Sequence, residues 1–147
     1  MSNLQIKNFP SQLQNDMAMS WPTLSLPTND RFWSHEWTSH GMCQPSKPYW
    51  YFSTGITLYH RIDLYNVFHK NGIASGTSNA TNDVRNIIST QAGGKKIILR
   101  CSDMKNGTYF LSEVVICIDM VGQNFIDCNQ PREIAYNNCV GGQLTYA

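Results

Sequence analysis

Hydrophobic residues recur at helical spacing through the first part of the chain and at strand spacing beyond Lys96. The opening stretch is broken into short pieces by Pro10, Pro22 and Pro27, although Pro10 to Ser20 holds one helical run with Leu13 and Met17 four apart on one face. From Asn29-Asp30 to His40 a helix is predicted, which Asp30 or Asn29 can cap and Gly41 can stop. Cys43 to Pro48 is loop. The longest predicted helix covers Trp50 to Lys70, where Phe52, Ile56, Tyr59 and Ile62 recur at spacings of three and four. Gly55 weakens it slightly, and Asn71-Gly72 ends it. A shorter helix follows over Thr81 to Thr90, with Val84, Ile87 and Ile88 inward and Gly93-Gly94 past its end. The texture then changes. Lys96 to Cys101 and Tyr109 to Met120 are rich in Ile, Val, Leu and aromatics and are separated by Asn106-Gly107, the signature of antiparallel strands. A last short strand, Asn124 to Cys128, precedes an irregular tail. Helices first and strands later predict the α+β class, without internal repeats.

Composition adds limits. The 147 residues suit one domain spanning 1–147, and 11 Lys and Arg against 10 Asp and Glu give no field that would draw in long nucleic acid. A nucleic-acid substrate must then be held locally, through a few bases and one phosphate. No stretch approaches the roughly 20 apolar residues of a membrane helix. Met1 to Phe9 is not a signal peptide, which read literally implies an intracellular protein. The five cysteines point the other way: Cys43, Cys101, Cys117, Cys128 and Cys139 include no Cys-x-x-Cys pair, and four fall in the last third. That is the pattern of disulfides in an oxidising compartment. Two glycosylation sequons, at Asn79 and Asn106, agree weakly with secretion.

Chemistry concentrates in Phe32-Trp33-Ser34-His35-Glu36-Trp37-Thr38-Ser39-His40-Gly41. On an α-helix Glu36 and His40 lie one turn apart, as do His35 and Ser39, while Trp33 and Trp37 form a further pair that anchors the helix. Zinc is not expected. The two histidines are five apart, about 140° around a helix, and cannot both face one metal without unwinding. By spacing alone the segment could equally be a solvated helix with no chemistry.

The motif itself goes further. His35-Glu36-Trp37-Thr38-Ser39-His40-Gly41-Met42-Cys43 agrees with His-Glu-Trp-x-Lys-His-Gly-Thr-Cys everywhere but at Ser39 and Met42, which is six of the eight specified positions. That sequence is the second active-site segment of the ribonuclease T2 family. Trp21-Pro22, the stretch from Tyr59 to Ile73, Leu111-Ser112-Glu113-Val114 running into Ile116-Cys117-Ile118-Asp119, and Phe125-Ile126-Asp127-Cys128 also resemble this family. The resemblance points to its plant members, the self-incompatibility S-RNases and their S-like relatives.

The resemblance implies metal-independent and cofactor-free cleavage of RNA through a 2′,3′-cyclic phosphate, in a monomer located outside the cell or in a vacuole. His40 matches the catalytic histidine and Glu36 the glutamate that orients it or bonds the phosphoryl group. His35 matches a phosphate-binding position, and Trp37 is expected to be a core anchor. Ser39 replaces the family's lysine, so a fixed positive charge on the phosphate is lost. The resemblance also implies bridges Cys101–Cys139 and Cys117–Cys128, leaving Cys43 unpaired. The family's first active-site segment, Phe-Thr-x-His-Gly-Leu-Trp-Pro, has no counterpart, and no histidine precedes His35. The chain is therefore expected to be an N-terminally incomplete ribonuclease with impaired activity. The alternative is a non-catalytic homologue serving recognition, as in self-incompatibility, or storage. His60 and His69 are expected at the surface.

Overall fold

The structure, a computed structural model, describes residues 4–42, 47–103, 109–139 and 141–146. Cys43 and Asn106, with the Asn106-Gly107 turn, lie outside the described residues. The chain divides into two compact units, Met1–Arg61 and Ile62–Ala147.

The N-terminal unit is helical. After a 3₁₀ turn at Ile6–Asn8 come α1 (Ser11–Ser20), α2 (Asn29–Glu36), a π turn (Trp37–Gly41) and α3 (Pro48–Arg61). The predicted stripes are the buried ones. Leu13 and Met17 from α1, and Phe52 and Ile56 from α3, close on Trp33 and Trp37 in one core that also takes Ile6. Gly55 has a packing reason: a Cβ there would stand 3.2 Å from the Trp21 ring, so the missing side chain admits the indole.

The C-terminal unit runs α4 (Leu64–Lys70), β1 (Ser78–Ala80), α5 (Thr81–Gln91), β2 (Ile98–Asp103), β3 (Tyr109–Val115), β4 (Cys117–Ile118), β5 (Phe125–Ile126), α6 (Pro131–Tyr136) and β6 (Gln143–Thr145). The main sheet has the order β1-β6-β3-β2, with β3 and β6 parallel and the other pairs antiparallel. β4 and β5 form a separate antiparallel pair. Val84 and Ile88 of α5 are buried with Leu99, Leu144 and Phe68 in a second core.

Both implied disulfides are formed. Cys101–Cys139 lies within that core, and Cys117–Cys128 staples the β4–β5 pair. Asn138 seals the edge of β2, its Oδ1 accepting from the Cys101 amide at 2.7 Å and its Nδ2 donating to the Cys101 carbonyl at 2.9 Å.

Three expectations need correction. The single helix over Trp50 to Lys70 is two, because Asp63 breaks it and caps α4, its Oδ1 accepting from the Asn66 amide at 3.1 Å. Tyr59, counted on the apolar stripe, is 57% exposed, since the helix it belongs to ends at Arg61. The tail is not irregular. It holds α6, whose first turn is closed by Gln130 N donating to Glu133 Oε2 at 2.7 Å, and the inner strand β6.

Candidate active site

The catalytic and phosphate-binding residues expected from sequence all fall in the N-terminal unit, on α2 and the turn that continues it. The cap of α2 is Thr28, whose hydroxyl accepts from the Arg31 amide, and not Asn29 or Asp30. Asn29 is occupied elsewhere, accepting from the Thr23 amide at 2.9 Å. Trp33 anchors the helix from below, with its indole N–H donating to the Trp21 carbonyl at 2.8 Å.

His35 and Glu36 close α2, but the predicted continuous α-helix to His40 does not persist. Trp37–Gly41 is a π turn, closed by Met42 N donating to the Trp37 carbonyl at 3.0 Å. The Thr38 hydroxyl supports the change of pitch by donating to the Ser34 carbonyl at 2.9 Å and the His35 carbonyl at 3.0 Å. Such wide turns are rare and concentrate at functional sites. In a turn that closes five residues back, the side chain coming round over position i moves from i+4 toward i+5. The straight α-helix that would set His40 one turn above Glu36 is therefore interrupted.

Gly41 is not simply a stop signal. It has no left-handed backbone angle, and a Cβ at this position would overlap the six-membered ring of Trp37. The residue is small because the indole lies against it. Trp37 is 5% exposed and meets Tyr51 of α3 edge-on, with ring centroids 5.7 Å apart. Its indole nitrogen has no hydrogen-bond partner among the described residues. Trp33 and Trp37 share one core but pack on different neighbours.

Above this floor stand the polar groups. His35, Ser39 and His40 are exposed and Glu36 is half-buried. Among the described residues none of these four side chains is hydrogen-bonded to another. The arrangement joins two solvent-facing imidazoles, a hydroxyl and a carboxylate to a rigid aromatic base, which suits proton transfer and hydrogen bonding to an anion. Tyr51 was not legible as part of it. Burial, and then the negative charge of Glu36, push its phenol above the ordinary range. Its only sequence signal is a position next to Phe52, at the margin of the apolar stripe.

The remaining histidines are elsewhere. His60 and His69 are exposed on α3 and α4, beside Tyr59 and Tyr65 respectively. Cys117, Cys128 and Glu133 cluster closely enough to suggest a metal, but both sulfurs are in a disulfide and offer no thiolate. In the Asn79 sequon, Thr81 is buried and its hydroxyl donates to the Gly141 carbonyl at 3.1 Å.

The ribonuclease T2 family matches residues 2–128 of the chain. Among curated relatives, extracellular ribonuclease LE of Solanum lycopersicum is 34% identical over 124 residues, covering 80% of this chain and 54% of its own. Intracellular ribonuclease LX of the same plant is 30% identical over 122 residues, covering 80% and 51%. The chain thus spans about half the length of these relatives. Japanese pear S3-RNase superposes with a TM-score of 0.79 at 28% identity, over 99% of this chain and 76% of that one. Ribonuclease MC1 from bitter gourd seeds gives 0.77 at 27% identity, over 87% and 68%, and variants of it are solved with 5′-GMP and 5′-UMP. With helices, sheet, motif and match in agreement, the chain belongs to the ribonuclease T2 family.

Proposed function

We propose that the protein is an endoribonuclease that cleaves RNA by transesterification, with His40 and Glu36 as its catalytic groups. The 2′-oxygen attacks the adjacent phosphorus and gives its proton to His40. The bond to the 5′-oxygen breaks, an acid supplies that oxygen with a proton, and the products are a 2′,3′-cyclic phosphate and a 5′-hydroxyl. Glu36 orients the imidazole or bonds the phosphoryl group, and His35 and Ser39 hold phosphate oxygens. No metal or cofactor enters this scheme. One observation carries the reading. The segment matching the family's active site sits on a wide turn over a buried Trp37, with its imidazoles turned to solvent.

Two departures lower the activity expected of the chain alone. No residue of it corresponds to the family's first active-site histidine. Ser39 also cannot neutralise a phosphorane as lysine does, and losing one such donor costs on the order of 10²- to 10³-fold in rate. Ser39 is also what favours the second reading, a non-catalytic homologue in recognition or storage. The two disulfides favour an oxidising compartment, extracellular or vacuolar. A monomer and use of the Asn79 and Asn106 sequons belong to the same reading.

The test is cleavage of an oligoribonucleotide by the oxidatively folded chain. Slow cleavage that leaves 2′,3′-cyclic phosphate ends and vanishes in His40→Ala supports the enzyme. Cleavage at the rate of a full-length relative would overturn the impairment. Products without cyclic ends, or indifference to His40→Ala, would overturn the catalytic assignment, and complete inactivity together with no nucleotide binding would favour the second reading.

A further inference from the structure

The C-terminal unit holds a solvent-open cavity of 580 Å³, whose lining includes Arg85, Lys95 and Lys96 together with the polar residues Asn86, Ser89 and Asn129. Among its described lining residues there are three cations and no carboxylate. Arg85 is the informative one. Its guanidinium donates to the Ile97 carbonyl at 3.3 Å, the Asn137 side-chain oxygen at 3.3 Å and the Cys139 carbonyl at 2.9 Å. These are neutral acceptors, and they take three of the five N–H donors an arginine carries. The group is half-buried, and burial pulls its pKa below the ordinary arginine value, with no acidic partner among the described residues to offset it. A desolvated cation held by neutral oxygens favours an anion beside it.

The lysines add to this. Lys95 is held at the rim by its carbonyl, which accepts from the Ser89 hydroxyl at 2.7 Å, and the Lys96 ammonium donates to Asn129 Oδ1 at 3.4 Å. Asp127, the acid bonded to this stretch, accepts from the Lys96 backbone amide at 2.7 Å.

We infer that this cavity is a phosphate-binding site separate from the His40 segment, recognising a phosphate oxyanion carried on a polynucleotide strand or free in solution. Arg85 supplies a fixed charge and Lys95 and Lys96 supply mobile ones. The inference concerns binding alone and does not depend on catalysis at His40.

The test follows backbone amide NMR signals of Ser89, Lys95, Lys96 and Asn129 in the folded chain. The probes are inorganic phosphate and an octamer of thymidine deoxynucleotides, which lacks the 2′-hydroxyl and is not cleaved. Saturable shifts with phosphate alone identify a site for free phosphate. Tighter binding of the octamer identifies the strand, with affinity falling steeply with salt. In the Lys95→Gln/Lys96→Gln double variant the binding is expected to weaken by ~10-fold or more, and the salt slope for the octamer to become shallower by about 1.4. These surface changes leave the Arg85 bonds intact, and Lys96→Gln alone gives an intermediate loss. No shift with either probe, or unchanged binding in the double variant, overturns the inference.

Discussion

The α-carbon of Gly41 lies against the six-membered ring of Trp37, so closely that a Cβ would overlap it. This contact ties the turn carrying His40 to the buried floor of the N-terminal unit. Gly41→Ala is expected to destabilise the protein by about 1–3 kcal/mol, the usual range for an overpacked site. The measurement is the urea midpoint followed by tryptophan fluorescence. An unchanged midpoint would show that the indole moves freely and does not hold the turn.

Glu36 and Tyr51 are coupled electrostatically, which makes a prediction about pH. Burial first, and the carboxylate second, raise the phenol's pKa above its ordinary 10.0. An acid whose folded pKa is raised contributes stability that is fully present below the unfolded value and lost as pH rises through the folded one. Stability should therefore decline above about pH 10. Tyr51→Phe should remove part of that decline, as read from urea midpoints of both proteins across the alkaline range. Identical alkaline profiles would disprove the raised phenol pKa.

The two bridges should not be equivalent. Cys101–Cys139 spans 38 residues and Cys117–Cys128 spans 11, so opening the first releases more chain entropy. The paired alanine variant of Cys101 and Cys139 is expected to lose about 1 kcal/mol more than that of Cys117 and Cys128, by loop length alone. Removing two buried core sulfurs adds to the gap. Equal losses in chemical denaturation would contradict this ordering.

Much of the fold was legible where the signal is local. Leu13 with Met17, Phe52 with Ile56, and Val84 with Ile88 mark buried faces because helical periodicity repeats within a few residues. The break at Asp63 was missed because apolar residues continue at helical spacing beyond it, at Leu64, Val67 and Phe68, and only the capping role of the aspartate reveals the stop. β1 and β6 were invisible for another reason. Each has three residues, too few to alternate, and Ser78 pairs with Thr145 from the far end of the chain. At the site, residue types gave His35, Glu36 and His40, whereas the pitch change depends on a Thr38 side chain bonding to backbone. Tyr51 arrives from a different helix and had no local signal.

Restoring a cation at position 39 should strengthen phosphate binding. Ser39→Lys is expected to tighten binding of 3′-UMP by up to about fivefold, the range of an exposed ion pair, with the gain shrinking as salt is added. Isothermal titration at low and high salt measures both. A gain independent of salt, or none, would mean that the phosphate does not lie near residue 39.

The central claim is that the segment from His35 to His40 receives the phosphate of an RNA nucleotide. The most direct measurement is the imidazole NMR spectrum of the folded chain titrated with 3′-UMP, since two of the four histidines lie in the segment and the other two, on α3 and α4, serve as controls. The account predicts saturable shifts of His35 and His40, with the His35 shift abolished in the Glu36→Gln/His40→Ala double variant, while His60 and His69 stay still. Shifts confined to His60 or His69, or no shift at any histidine, would contradict it.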